Sequence, residues 1–167
     1  MKKTVQIISG LFLIFFLTSC SEREIKEYEN TEAMVEDAKS KVEFISAEDF
    51  KTVLESEDKF KIVDCREETE YDSACIPGAI NIPKGLIEFQ IGNKVSRRED
   101  LYIYCSNGDR SSLVAATLPL LKFSSVKVIE AGFDGWKEKY PDLIELEPAG
   151  AGAEDHAPAA SSGGCGG

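Results

Sequence analysis

Leu101-Tyr102-Ile103-Tyr104-Cys105-Ser106-Asn107-Gly108-Asp109-Arg110-Ser111-Ser112 runs from a short apolar stretch straight into a small polar turn, with a helical pattern behind it. Strand, turn and helix in that order set the carboxyl end of a strand against a helix N-terminus, the junction from which α/β sheets are built. Cys105 stands at the junction. Its sulfur there meets unpaired backbone N–H groups and the positive end of a helix dipole, both of which favour the thiolate. Arg110 adds a permanent charge. Lowering the pKa from about 8.5 by roughly two units would raise the thiolate fraction at pH 7 from a few per cent to about three quarters. On this pattern alone two readings stand: a reactive thiol in an anion-holding turn, or a buried strand-end cysteine beside an ordinary loop.

Upstream and downstream the same alternation repeats. Residues 42–45 alternate like a strand, and Ser46-Ala47-Glu48-Asp49 is a capping-box-like start for a helix to about Glu55. Residues 61–64 form a second short strand, 101–104 a later one and 126–129 the last. Helix-length segments between them indicate crossover connections and a mainly parallel sheet, with ligands expected at the carboxyl ends of its strands. The helix from Ser111 to about Leu121 is apolar on several faces, as packing against a sheet requires, and Pro119 is expected to end or kink it.

The chain of 167 residues is 43% hydrophobic, enough for one domain with its own core plus tails. Thirty acidic residues against 19 basic ones give a formal net charge of -11, which argues against a nucleic-acid surface. A small anion would have to be drawn in locally, by Arg110 and backbone N–H groups, because the overall field repels it.

Both ends differ from the middle. Lys2 and Lys3 precede an apolar stretch from Val5 to Leu17, shorter than the roughly 20 residues of a spanning helix. Leu17-Thr18-Ser19-Cys20 then resembles the lipobox of bacterial lipoproteins. The resemblance implies a signal peptide over residues 1–19, lipidation of Cys20 and a location in the bacterial cell envelope, membrane-anchored and facing the periplasm. Residues 20–41 read as a charged spacer, partly helical from about Thr31, with the folded domain over 42–146. From 147 to 167 the composition turns to Ala, Gly, Pro and Ser, which reads as a flexible arm ending Gly163-Gly164-Cys165-Gly166-Gly167.

Three motifs in order name a family. Cys105 to Arg110, followed by Ser111, resembles the active-site loop Cys-x-x-Gly-x-Arg-Ser of single-domain rhodanese-like sulfurtransferases. Asp64-Cys65-Arg66 with Glu70-Tyr71, then Ile76-Pro77-Gly78-Ala79-Ile80-Asn81-Ile82-Pro83, resembles the family's amino-terminal signature, and Ala131-Gly132-Phe133-Asp134-Gly135-Trp136 its carboxy-terminal one. The resemblance implies an α/β fold with a five-stranded parallel sheet flanked by helices, and a loop wrapped around the cysteine sulfur. It makes Cys105 the catalytic thiolate, with Ser106, Asn107, Gly108, Asp109 and Arg110 binding substrate and Asp64 and Arg66 organising the fold beside them. Cys105 then takes sulfane sulfur from thiosulfate, a polysulfide or a protein persulfide, and yields it to a thiophilic acceptor such as a protein thiol or sulfur carrier. No cofactor is called for, and no Cys/His cluster has metal-ligand spacing.

Departures from the pattern are informative. Ala74-Cys75 stands where the family usually has Gly-His, and the chain's one histidine is His156, in the arm. Activation of Cys105 then falls to loop N–H groups, the helix N-terminus and Arg110. Asp109 opposes it unless its side chain turns outward. For Arg66, an i,i+4 pair with Glu70 is the simplest local partner. Four residues separate Cys105 from Arg110, one fewer than in cysteine-dependent phosphatases, and the smaller loop suits a single added sulfur atom.

The terminal Gly-Gly-Cys-Gly-Gly resembles the arm of the Sox sulfur-carrier subunit, which implies that Cys165 carries sulfur. A flexible segment from Pro148 to Cys165 spans roughly 20–25 Å, so Cys165 can meet Cys105. Cys65 and Cys75 read as buried inert thiols, with a structural disulfide as the alternative. A non-catalytic rhodanese binding module, or a thiol redox sensor, is the second functional class.

Overall fold

β4 (Asp100–Tyr104) is the central strand, and its alternation organises the molecule, for which a computed structural model describes residues 26–146. Leu101, Ile103 and Cys105 point into one apolar cluster, whereas Tyr102 and Tyr104 point into the other. A strand buried on both faces is what a parallel sheet covered by helices requires. Phe60–Asp64 forms β2 on one side of β4, and Val126–Ile129 forms β5 on the other. Glu43–Ile45 (β1) pairs outside β5, and Ala79–Asn81 (β3) outside β2. The order is β1-β5-β4-β2-β3, parallel throughout.

The direction in which the connections cross the sheet reverses between β2 and β4: those from β2 lead outward to β3, and those from β4 lead the other way to β5. In open α/β sheets the crevice beyond the carboxyl ends at such a point is where ligands bind. Cys65 and Cys105 are the residues that follow β2 and β4 there.

One face is covered by α4 (Ile87–Lys94) and α5 (Asp109–Thr117), through Ile87, Ile91, Val114 and Ala115. The other is covered by α2 (Ala47–Leu54) and α6 (Gly132–Lys139), through Phe50, Phe133 and Trp136. Ser46 caps α2 as expected, accepting the Asp49 N–H at 3.1 Å. α5 ends at Thr117 and tightens into a 3₁₀ turn over Leu118–Leu121, where Pro119 removes a backbone donor.

Residues 31–39 form the helix expected from about Thr31, but it is docked on the domain rather than part of a free spacer. Thr31–Lys39 form α1, capped by Asn30, whose side chain accepts the Ala33 N–H at 2.8 Å, and α1 packs on α5. Val35 and Ala38 are buried in that contact. The folded unit therefore reaches upstream of Val42. Ala74-Cys75, where the family pattern is broken, is tied into the fold: Cys75 exchanges two 2.8 Å backbone hydrogen bonds with Glu145, and its side chain is buried. The signal-like segment, Cys20, the arm and Cys165 lie outside the described residues. Among those described, no helix is long and apolar enough to cross a membrane.

Candidate active site

Cys105 lies in a loop whose peptide groups are oriented from outside. Gly108, at φ +94°, turns the chain from the strand into α5 and delivers its N–H to the Cys105 sulfur at 3.2 Å. A Cβ on Gly108 would stand 3.1 Å from the Glu130 carbonyl oxygen. On the outer side, the Phe133 N–H donates to the Cys105 carbonyl at 2.8 Å and the Asp134 N–H to that of Ser106 at 3.0 Å. The first turn of α6 thus takes the loop's carbonyls and leaves its N–H groups to the sulfur. Gly132 makes this approach possible: its φ is +59°, and a Cβ would lie 2.4 Å from the Ser106 oxygen.

Around the sulfur, the Ser111 hydroxyl donates at 3.5 Å and the Asn107 Oδ1 lies at 3.8 Å. The neighbouring Cys65 thiol is the largest influence on Cys105; burial opposes it, the Ser111 side chain and the Ser111 and Asn107 backbone reinforce it, and the Cys105 pKa comes down to about 5. Cys65 moves the other way, pushed well up by the same contact with the Cys105 thiolate and by burial. Cys75 is raised to about 11, chiefly by burial. Of the three described cysteines, all free and buried, only Cys105 is held as a thiolate at neutral pH. Alkylation of Cys105 by iodoacetamide in the full chain, followed by peptide mapping, should therefore be flat from pH 6 to 9 and fall about tenfold per unit below pH 5. An inflection near the ordinary thiol value of about 8.5 would contradict the thiolate.

The residues expected to bind substrate divide sharply. Gly108 aims its N–H at the sulfur, and the Asn107 backbone also favours the thiolate. Arg110 is committed to Glu70 in a two-pronged pair at 2.9 and 3.0 Å, and also donates to the Ser106 hydroxyl at 2.8 Å. Ser106 in turn donates to Glu70 at 2.9 Å. Held mainly by Arg110, the Glu70 carboxyl has its pKa lowered to about 2. Arg110 therefore braces the loop against α3 (Glu68–Ser73). Asp109 turns outward as its chemistry requires, pairing with Lys39 of α1 at 2.9 Å and accepting from Asn107 at 2.9 Å. A recess of about 270 Å³ opens beside Asn107 and Gly108, with Lys39, Phe44 and Glu130 completing its wall.

Asp64 and Arg66 are paired beneath the loop, and the expected Arg66–Glu70 pair is not formed. Arg66 donates to Asp64 through Nη2 at 2.6 Å and through Nε at 3.0 Å, and a further Nη2 bond reaches the Ala74 carbonyl at 2.7 Å. Its guanidinium lies 3.9 Å from the Phe133 ring centre. Asp64 is fully buried. Burial drew Arg66 inward and left Glu70 for Arg110.

Lys39 was not singled out from sequence, and Glu70, Ser111, Gly132 and Cys65 entered only as motif members, as a partner for Arg66 or as a buried thiol, not as site residues. Ser111 follows Arg110 in the motif and Gly132 lies in the third signature, which were the available signals. Among the described residues, no group of three or more His, Cys, Asp or Glu could hold a metal ion.

A parallel five-stranded sheet carries one ionised cysteine in a loop at a helix N-terminus, at the switch between β2 and β4: a nucleophilic thiolate site on an α/β domain. The chain belongs to the rhodanese-like family, whose domain matches residues 46–139. It is 35% identical over 100 residues to the putative sulfur carrier protein YrkF of Bacillus subtilis, covering 60% of this chain and 54% of that protein. It is 25% identical over 80 residues to the thiosulfate sulfurtransferase GlpE of Tolumonas auensis, covering 48% of this chain and 74% of the relative. The fold is also that of a thiosulfate sulfurtransferase from Pseudomonas aeruginosa, with a TM-score of 0.61 and 21% identity over 71% of this chain and 23% of that one. The chain thus spans about half the length of YrkF.

Proposed function

We propose that this protein is a sulfurtransferase that carries sulfane sulfur on Cys105. The observation behind the reading is the ionised Cys105 sulfur beneath the Gly108 N–H and the Ser111 hydroxyl, at the N-terminus of α5. In the first step the thiolate attacks the outer sulfur of a donor. The bond between that sulfur and the donor's remainder breaks, and Cys105 becomes a persulfide while the remainder leaves with the electron pair. An acceptor thiolate then attacks the outer sulfur, takes it as its own persulfide and restores the Cys105 thiolate. The loop N–H groups stabilise negative sulfur in both steps.

Charge around the loop favours one donor class. Arg110 is matched by Glu70, Arg66 by Asp64 and Lys39 by Asp109, which leaves no unmatched cation among the site residues named above. A singly charged persulfide suits such a site better than the thiosulfate dianion. Cys105 has no exposed area, so the loop crown must yield to admit either. The signal-like segment and Cys20 support a lipid-anchored protein of the bacterial envelope, and Gly163 to Gly167 support an arm on which Cys165 exchanges sulfur with Cys105.

Intact-protein mass spectrometry of the full chain, with glutathione persulfide, polysulfide and thiosulfate in turn, tests the reading. We expect a gain of about 32 Da mapping to Cys105, fastest with the persulfide. No adduct and no oxidation product at Cys105 with any donor overturns it.

A further inference from the structure

Resting on that sulfur-transfer reading, we propose that Cys65 is a second reacting thiol, which discharges the Cys105 persulfide as hydrogen sulfide and leaves a Cys65–Cys105 disulfide. The protein then has two outcomes for a bound sulfur atom: transfer to an acceptor, or release as sulfide.

Strand register carries the proposal. Val63 pairs with Ile103 and Asp64 with Tyr104, and the ladder runs one residue further, the Cys65 N–H donating to the Tyr104 carbonyl at 2.9 Å. Cys65 therefore lies opposite Cys105 on the neighbouring parallel strand. Both side chains enter the same apolar cluster, with Val63 and Ile103 behind them. Neighbouring strands are about 4.8 Å apart, inside the roughly 4.4–6.8 Å Cα separation that disulfides span. A small local shift that brings the two Cβ atoms within about 4.5 Å of each other is then enough to join the sulfurs.

Burial separates the two routes. Neither cysteine has any exposed area, so an outside thiol must enter through the loop, whereas Cys65 is already on the sheet side of the sulfur. Pre-placement of this kind raises an attacker's effective concentration far above what solution supplies. Packing alone does not call for a thiol there, since the position alternates with buried aliphatic residues that a valine would match.

The step balances. Cys65 Sγ attacks Cys105 Sγ, the inner sulfur of the persulfide. The Cys65–Cys105 S–S bond forms and the bond from Cys105 to the outer sulfur breaks, and that sulfur leaves with the electron pair. It also takes the Cys65 proton and departs as HS⁻, so the sulfane sulfur is reduced to sulfide while the two cysteines are oxidised to cystine. A dithiol reductant must then reopen the disulfide for another cycle.

The full chain should be loaded anaerobically with one equivalent of glutathione persulfide or of thiosulfate, desalted, and followed without added thiol by intact mass, peptide mapping and sulfide release. We expect the gain of about 32 Da to give way to a loss of about 2 Da, mapped to a Cys65–Cys105 link, with one sulfide released per disulfide. Cys65→Ser keeps a hydrogen-bond donor beside Cys105 and cannot form the link, and Cys65→Val fills the position without a donor. In each variant the link is absent, and sulfide release per loaded Cys105 should fall at least about tenfold. A wild-type persulfide that persists at Cys105, or a disulfide that joins Cys105 only to Cys165, overturns the proposal and leaves the transfer reading intact. Neither adduct nor link with either donor overturns both.

Discussion

Cys105→Ser is expected to reduce sulfur transfer by roughly a thousandfold or more, the scale on which removing a nucleophile acts. A hydroxyl at this place has the same backbone, the same Gly108 N–H and the same Ser111 neighbour, so the cradle survives. It is not ionised near neutral pH, and it forms no stable equivalent of a persulfide. Transfer from thiosulfate or glutathione persulfide to cyanide, read as thiocyanate, should fall to background, with near-ultraviolet dichroism unchanged. Residual turnover above about a tenth of wild type would put the reacting sulfur elsewhere, with Cys165 the first place to look.

The second large effect is on stability. Asp64→Ala removes the carboxylate from a pair in which Asp64 is fully buried and the Arg66 side chain nearly so. The guanidinium would keep its bond to Ala74 and its contact with Phe133, but its charge would lie uncompensated inside the fold. Breaking a buried pair from one side costs about 3–5 kcal/mol, a large share of the roughly 5–15 kcal/mol that holds a domain folded. Thermal unfolding should shift down by roughly 10–25 °C. Replacing both partners, as Asp64→Ala with Arg66→Met, should cost less than Asp64→Ala alone, because no charge is then stranded. A shift below about 3 °C for the single change would mean that Arg66 finds water or another acceptor.

What the sequence disclosed follows from how local each signal is. The apolar runs around Ile62, Ile103 and Val128 announced strands, and the Cys105 to Arg110 turn announced the loop, because each is carried by consecutive residues. β3 is only three residues long, lies between Pro77 and Pro83, and emerged through the family motif rather than through its own pattern. The loop's brace was hidden for a different reason. Glu70 and Arg110 are 40 residues apart, and the local choice for Glu70 was Arg66, four residues before it. Only the fold shows that Arg66 is drawn beneath Ala74 and Phe133 instead. α1 presents just Val35 and Ala38 to the core in an otherwise charged stretch, too little apolar periodicity to distinguish a docked helix from a tether. Alternation along β2 makes Cys65 readable as buried, but its place opposite Cys105 needs the register of two strands separated by 35 residues of intervening chain.

The grip of α6 on the loop carbonyls also sets a timetable. Residues 132–139 are made after Cys105, so the clamp on the loop carbonyls is a late part of the site to be added. Until the Phe133 and Asp134 N–H groups arrive, the Cys105 and Ser106 carbonyls lack the partners that fix their direction in the folded domain. A carboxy-terminally clipped chain that loses α6 would lose the two hydrogen bonds that hold the loop from outside.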